Sequence, residues 1–174
     1  MIPVAVIMGS DSDFPVLQEA LRVFEQFNVD CEVKVSSAHR TLVRTLNWVA
    51  DFERQGGKVI IAAAGLAAHL PGVIAGTTTL PVIGVPIQSG ALNGVDALYS
   101  IVQMPPGVPV ASVGIGAAKN AALLAVQILA LEDQQLHDKL RAYREQMARE
   151  VESKDVALQE KVNAEKGSEK MDCG

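Results

Sequence analysis

Hydrophobic positions along this chain recur with two different periods in turn, and the alternation predicts its elements. Residues 2–8, IPVAVIM, form a short unbroken apolar run, the pattern of a strand covered on both faces. From Phe14 to Phe27 the period lengthens. Phe14, Leu17, Leu21 and Phe24 recur at helical spacing. DCEVKV (30–35) reads as a second strand. A helix over Leu42 to Gln55 follows, with Leu42, Leu46, Val49 and Phe52 on one face and Gly56-Gly57 ending it. KVIIAAA (58–64) is a third strand, and Pro71 suits the first turn of a short helix. PVIGV (81–85) and VPVASVG (108–114) are strands four and five, with a helix over 94–103 between them. Residues 117–131 are apolar nearly all round, which predicts a buried helix.

Five strands alternating with helices over short links predict an α/β fold, a parallel sheet with helices on both faces. The strand order 2-1-3-4-5 of flavodoxin-like three-layer sandwiches is expected by analogy. Residues 133–162 form a long charged helix outside that sheet, with Leu136, Leu140, Tyr143, Met147 and Val151 on one stripe. Nothing of its own sheet is left for this stripe to cover, so packing across a partner subunit is expected. The reading gives one domain over 1–162 and a disordered tail over 163–174.

Composition narrows the function. The 174 residues fit one domain with a full core. Apolar residues make up 49%, rich enough to imply a sheet covered on both faces or burial between subunits. No apolar run is long enough for a membrane span, and MIPVAVIMGSDSD lacks the basic start and cleavage site of a signal peptide. A net charge of −5 gives no support for nucleic-acid binding. Cys31 and Cys173 are expected as free thiols of a cytoplasmic protein.

In open α/β sheets, ligands bind beyond the carboxyl ends of the strands, where the strand order reverses. For the expected order, those loops are GSDSD (9–13), SSAHR (36–40) and AAGLAAHLPG (63–72). The first brings Gly9 for close backbone approach, the hydroxyls of Ser10 and Ser12, suited to a phosphate at a helix N-terminus, and the carboxylates of Asp11 and Asp13, suited to a ribose diol. The competing reading is a helix cap by Ser10, Asp11 or Asp13 ahead of Phe14-Pro15. The second brings Ser37, the histidine His39 and Arg40, a planar donor matched to phosphate. The competing reading is a surface histidine beside a helix-start arginine. Arginine is unhelpful at that end of a helix unless an anion binds there. The third offers small residues that let a planar ring approach the backbone, with His69 beside them. His137 reads as solvated on the outer helix. GIGAAKNA (114–121) is half of a dinucleotide fingerprint, misplaced after the last strand. The chain carries no P-loop, metal-ligand spacing or nucleophile elbow.

Taken together, VIMGSDSD, SSAHRT, AAHLPG, GVDALYSIVQMPPGVPV and NAALLAVQILA resemble class I N5-carboxyaminoimidazole ribonucleotide mutases of bacterial purine biosynthesis. The similarity runs from about Val4 to Leu131. It implies a flavodoxin-like homo-octamer without metal or organic cofactor. Its substrate would be an imidazole ribonucleotide whose carboxylate moves from an exocyclic nitrogen to a ring carbon. By motif, His39 would be the general acid/base. Ser10, Asp13 and Arg40 would bind ribose phosphate, with Ser12 and Ser37 in the same network. The segment from Ala64 through Gly65, Leu66 and His69 to Leu70 would wall the imidazole and carboxylate.

Three departures stand out. Leu66 replaces a usual glycine, at a cost of about 1–2 kcal/mol if the backbone is left-handed there. The 114–121 loop is about two residues short beside an expected site wall, and Leu42 replaces a common proline. A carbon dioxide-dependent carboxylase on the same fold is the nearest rival reading. A phosphorelay receiver would need an aspartate where Ala64-Gly65 stands and a lysine where Gly114-Ile115 stands. A flavin carrier would need aromatics that the mouth loops lack.

Overall fold

The structure, a computed structural model, describes residues 2–171. These residues divide into two compact units, parted between Glu132 and Asp133. In the first, β1 (Val4–Met8), β2 (Cys31–Val35), β3 (Val59–Gly65), β4 (Val82–Ile87) and β5 (Ala111–Ser112) form one sheet. All neighbouring strands run parallel, in the order β2-β1-β3-β4-β5. The helices of this unit are α1 (Phe14–Phe27), α2 (Leu42–Arg54), α3 (Leu70–Ala75), α4 (Val95–Val102) and α5 (Ala118–Leu129).

The continuous apolar runs are strands because both faces of the sheet are covered. Every residue of β1 and β4 is buried. On one face Ala5, Ile7, Ile60 and Ala62 pack with Val49 and Phe52 of α2, Ile74 of α3 and Ile101 of α4. The other face is covered by α1 and α5, which pack against each other. Four alanines of α5, Ala118, Ala121, Ala122 and Ala125, lie buried, and their small side chains allow that close approach.

The fifth strand is shorter than the 108–114 read from the sequence. Only Ala111 and Ser112 pair in regular register with β4. Pro109 has no amide hydrogen to give the ladder, which removes the strand's first half. Pairing continues irregularly beyond it, with the Val113 and Gly116 amides donating to the carbonyls of Gly84 and Pro86.

The second unit is one helix, α6 (Gln134–Met171). Its backbone passes the residue 162 at which the sequence reading stops it and enters the expected 163–174 tail. The end of that tail, 172–174, and with it Cys173, lies outside the described residues. Met147, Val151, Val156 and Leu158 are exposed on α6. Among the described residues no helix is long and apolar enough to cross a membrane.

Candidate active site

The parallel arrangement directs the carboxyl ends of β1, β2, β3 and β4 to one edge of the sheet. There a cavity of about 270 Å³ gathers every site residue read from the sequence. Because β1 lies between β2 and β3, the loops after β2 and β3 face each other across it.

The loop after β1 starts from Gly9, whose amide donates to the Ala63 carbonyl and ties it to the end of β3. A single 3-10 turn, Asp11–Asp13, follows. Ser10 caps it: its hydroxyl accepts from the Ser12 amide at 3.3 Å and from the Ser12 hydroxyl at 2.8 Å. Ser10 thus caps this short turn and not the helix that opens with Phe14-Pro15. Asp13 stands at the cap of α1 and makes no side-chain cap bond. Its residue is only 8% exposed, and burial pushes its carboxyl above the ordinary value of 3.8. The backbone at Ser10 and the Ser12 hydroxyl work against that rise, while the neighbouring Asp11 charge adds to it.

The loop after β2 is locked by its own hydroxyls. Ser36 Oγ is buried and bonds Thr45 Oγ1 at 2.8 Å and Thr41 Oγ1 at 3.1 Å. Thr41 Oγ1 also accepts from the Ser37 amide at 2.9 Å. The turn so fixed carries His39 and Arg40 on its exposed tip. The Arg40 guanidinium donates through Nη2 to the Gly9 carbonyl at 3.3 Å and through Nε to Ser37 Oγ at 3.4 Å. Among the described residues no carboxylate pairs with it. A fixed positive charge with long, partial hydrogen bonding has donor capacity suited to an anion.

The loop after β3 brings the second histidine. His39 Nε2 lies 2.7 Å from His69 Nδ1, with ring planes 80° apart. Two hydrogens cannot occupy that gap, so one nitrogen donates and the other accepts. The pair fixes both rings and leaves one outer nitrogen on each for a ligand.

Leu66 has φ 54, the left-handed backbone that its usual glycine would accept freely. Beside it, Gly65 is required by a close approach. A Cβ there would meet Ser89 Oγ at 2.6 Å. Gly65 pairs with Ile87 at the ends of β3 and β4, which sets Ser89, two residues on, over it. Ser89 also lines the cavity, and its buried hydroxyl oxygen has no hydrogen-bond partner.

The sequence reading missed Ser89; the other lining residues Gly9, Ala38 and Ala67 lie within the loops it singled out. The signal for Ser89 was the polar, glycine-rich QSGALNG after β4, which leaves the sheet at the same edge. The 114–121 loop, placed beside a site wall from the sequence, contributes no residue to this cavity. Beyond Ser112 the chain is held against β4 by the Val113 and Gly116 bonds and turns into α5. Among the described residues, no three His, Cys, Asp or Glu side chains cluster closely enough to hold a metal.

The cavity is thus divided. Arg40 and the serine hydroxyls occupy its β1–β2 end. His69, small residues and an unpartnered hydroxyl occupy the β3–β4 side, and His39 reaches toward it from the loop after β2. An elongated ligand with an anionic end and a flat reactive end fits that division.

Known proteins resemble this chain in sequence and fold. The N5-carboxyaminoimidazole ribonucleotide mutase of Pyrococcus abyssi is 60% identical over 149 residues, 86% of each chain. The Escherichia coli protein of the same name is 53% identical over 150 residues, 85% of this chain and 89% of its own. A crystal structure of Treponema denticola PurE superposes with a TM-score of 0.83 at 30% identity, covering 89% of this chain and 97% of its own. The AIR carboxylase family model matches residues 3–150, and with it the whole sheet and all the loops that meet at the cavity. The chain belongs to the AIR carboxylase family.

Proposed function

We propose that this protein is an N5-carboxyaminoimidazole ribonucleotide mutase, an isomerase of de novo purine (IMP) biosynthesis. The observation that carries the reading is the hydrogen-bonded His39–His69 pair, in one cavity with a guanidinium that no carboxylate pairs among the described residues. The relatives of that name match it over most of their own length.

The chemistry follows the division of the cavity. Arg40, Ser10, Ser12 and Ser37 hold the phosphate, and Asp13 accepts from the ribose hydroxyls. The ring then lies along Ala64, Gly65 and Leu70, with His39 over the reacting atoms. The nitrogen–carboxylate bond breaks with its electron pair left on nitrogen, which takes a proton from His39. Carbon dioxide is now free in the cavity. The ring carbon gives an electron pair to it, and the proton on that carbon returns to His39. Atoms balance with no external reactant. Success depends on a fixed ring and on exclusion of bulk water until recapture.

A steady-state assay with the N-carboxylated ribonucleotide tests the reading, with formation of the C-carboxylated product expected. A second arm supplies the uncarboxylated amine and labelled bicarbonate. Fast label uptake there, with no conversion in the first arm, would make the protein the carbon dioxide-dependent carboxylase instead.

Asp13 gives a two-sided prediction. A carboxyl whose pKa is raised by folding favours the folded state below its ordinary value of 3.8. That contribution is lost as pH rises through the raised value. At neutral pH the buried charge is a cost that asparagine does not carry. Asp13→Asn is therefore expected to melt higher than the parent at pH 7, the gain vanishing below the ordinary carboxyl value. It should also bind the ribonucleotide roughly tenfold to a hundredfold more weakly, the worth of a hydrogen bond to a charged acceptor. Melting curves across pH and a binding titration check both halves.

The homo-octamer and the cytoplasmic location belong to the same proposal. Apolar exposure supports assembly: Val95, Tyr99 and Val102 form an uncovered stripe on α4, and α6 carries the exposed apolar residues named above. Light scattering on the purified protein should give eight times the 18.4 kDa chain mass. A monomer would count against it.

A further inference from the structure

The backbone at Leu66 is left-handed, yet its side chain is 54% exposed, so burial in the core does not repay that conformation. A strained residue persists when its surroundings fix it, and such residues concentrate where a site makes use of them. Here the surroundings are visible. Gly90 has φ +62, and a Cβ on it would lie 2.7 Å from Leu66 Cδ2. The leucine side chain therefore occupies a notch that exists because residue 90 has no side chain. Next to that notch, Ser89 presents its unpartnered hydroxyl over Gly65. Gly65, Leu66 and Ser89 line the β3–β4 side of the cavity, and Gly90 stands against Leu66.

We propose that Leu66 is a retention residue, an apolar cover that keeps released carbon dioxide at the ring. The inference rests on the mutase reading. Carbon dioxide has no net charge or dipole and binds weakly, so a site holds it mainly by denying it an exit. Leu66 supplies apolar cover on one side, and the Ser89 hydroxyl can donate to one of its oxygens. With glycine at both 66 and 90, this corner of the cavity would stand open to water. The leucine closes it, and its left-handed backbone aims the side chain across to Gly90. Leu66 moves no proton and forms no bond. It acts on the competition between recapture of carbon dioxide by the ring carbon and its escape, which leaves the amine behind.

The test is turnover of the N-carboxylated ribonucleotide in labelled bicarbonate, reading label in the product and amine released per turnover. The parent should give little of either. Leu66→Gly is expected to raise both about fivefold, equivalent to about 1 kcal/mol off the escape barrier, while melting no lower than the parent. Leu66→Asn tolerates the left-handed backbone without an apolar side chain, so it keeps the loop's stiffness but loses the cover. It should leak as Leu66→Gly does. Retention at the parent's level in both variants, with turnover intact, overturns the proposal. So does a leak in the glycine variant alone, which would make loop stiffness the cause. If the parent itself does not convert the substrate, the mutase reading fails and this inference with it. Conversion with unaltered retention in both variants removes the inference alone.

Discussion

His39→Asn is expected to lose turnover by about 10²–10⁴-fold, the usual worth of a positioned acid/base group, with little change in ligand affinity or melting temperature. Asparagine keeps a polar side chain on the same turn but cannot take up and return a proton. In the proposed reaction the same imidazole acts twice, as acid toward nitrogen and as base toward carbon. Its loss therefore strikes both half-reactions. Stability should be spared because the side chain is exposed and the turn is held by Ser36, Ser37, Thr41 and Thr45. Affinity should be spared because Arg40 and the serines grip the other end of the nucleotide. Single-turnover rates, a binding titration and a melting curve on one preparation separate these effects. Near-normal turnover in this variant would remove His39 from the chemistry and leave the histidine pair without a role.

That pair also shows how far the sequence could be read. Hydrophobic periodicity placed His39 and His69 on loops at the same sheet edge, because each follows an apolar run read as a strand. It could not bring them within hydrogen-bond distance. They are 30 residues apart and come from strands that do not pair with each other. Only the insertion of β1 between β2 and β3 sets their loops facing. Ser89 was lost for a related reason. The switch-point rule directs attention to the loops after the first three strands. The β3–β4 pairing carries a fourth loop to the same cavity.

Other outcomes turn on what a pattern measures. An apolar stripe reports burial, and the one read on α6 ends at Val151, so the reading of that helix went no further than 162. The helix continues because Ala, Glu and Lys in NAEKGSEK favour helix without needing to be buried. At β5 the apolar run reported burial again, while a proline decided how much of it could pair. At Leu66 the family resemblance marked a departure whose meaning depended on a backbone angle. The structure supplies that angle, and Gly90 explains how a leucine side chain fits there.

The second large effect is expected at the opposite end of the cavity. Arg40→Ala should weaken binding of the phosphorylated ligand roughly tenfold to a hundredfold, since charge-assisted hydrogen bonds contribute about 1.5–3 kcal/mol. KM should rise much more than kcat falls, because the phosphate sits far from the bond that breaks and is held alike in ground and transition states. Arg40→Lys should recover only part of the loss. An ammonium restores the charge but not the planar pair of donors that matches phosphate. Salt offers an independent check. On a protein of net charge −5, an exposed guanidinium is a local exception, so its attraction for the ligand should be screened by added salt. Parent affinity should therefore fall as salt rises, and the alanine variant should respond far less. Arg40 stands just before α2, where the positive end of the helix dipole opposes it and, among the described residues, no carboxylate answers it. A bound phosphate resolves both conflicts at once. Unchanged affinity in the alanine variant would mean that some other group holds the anion and that the cavity has been read from the wrong end.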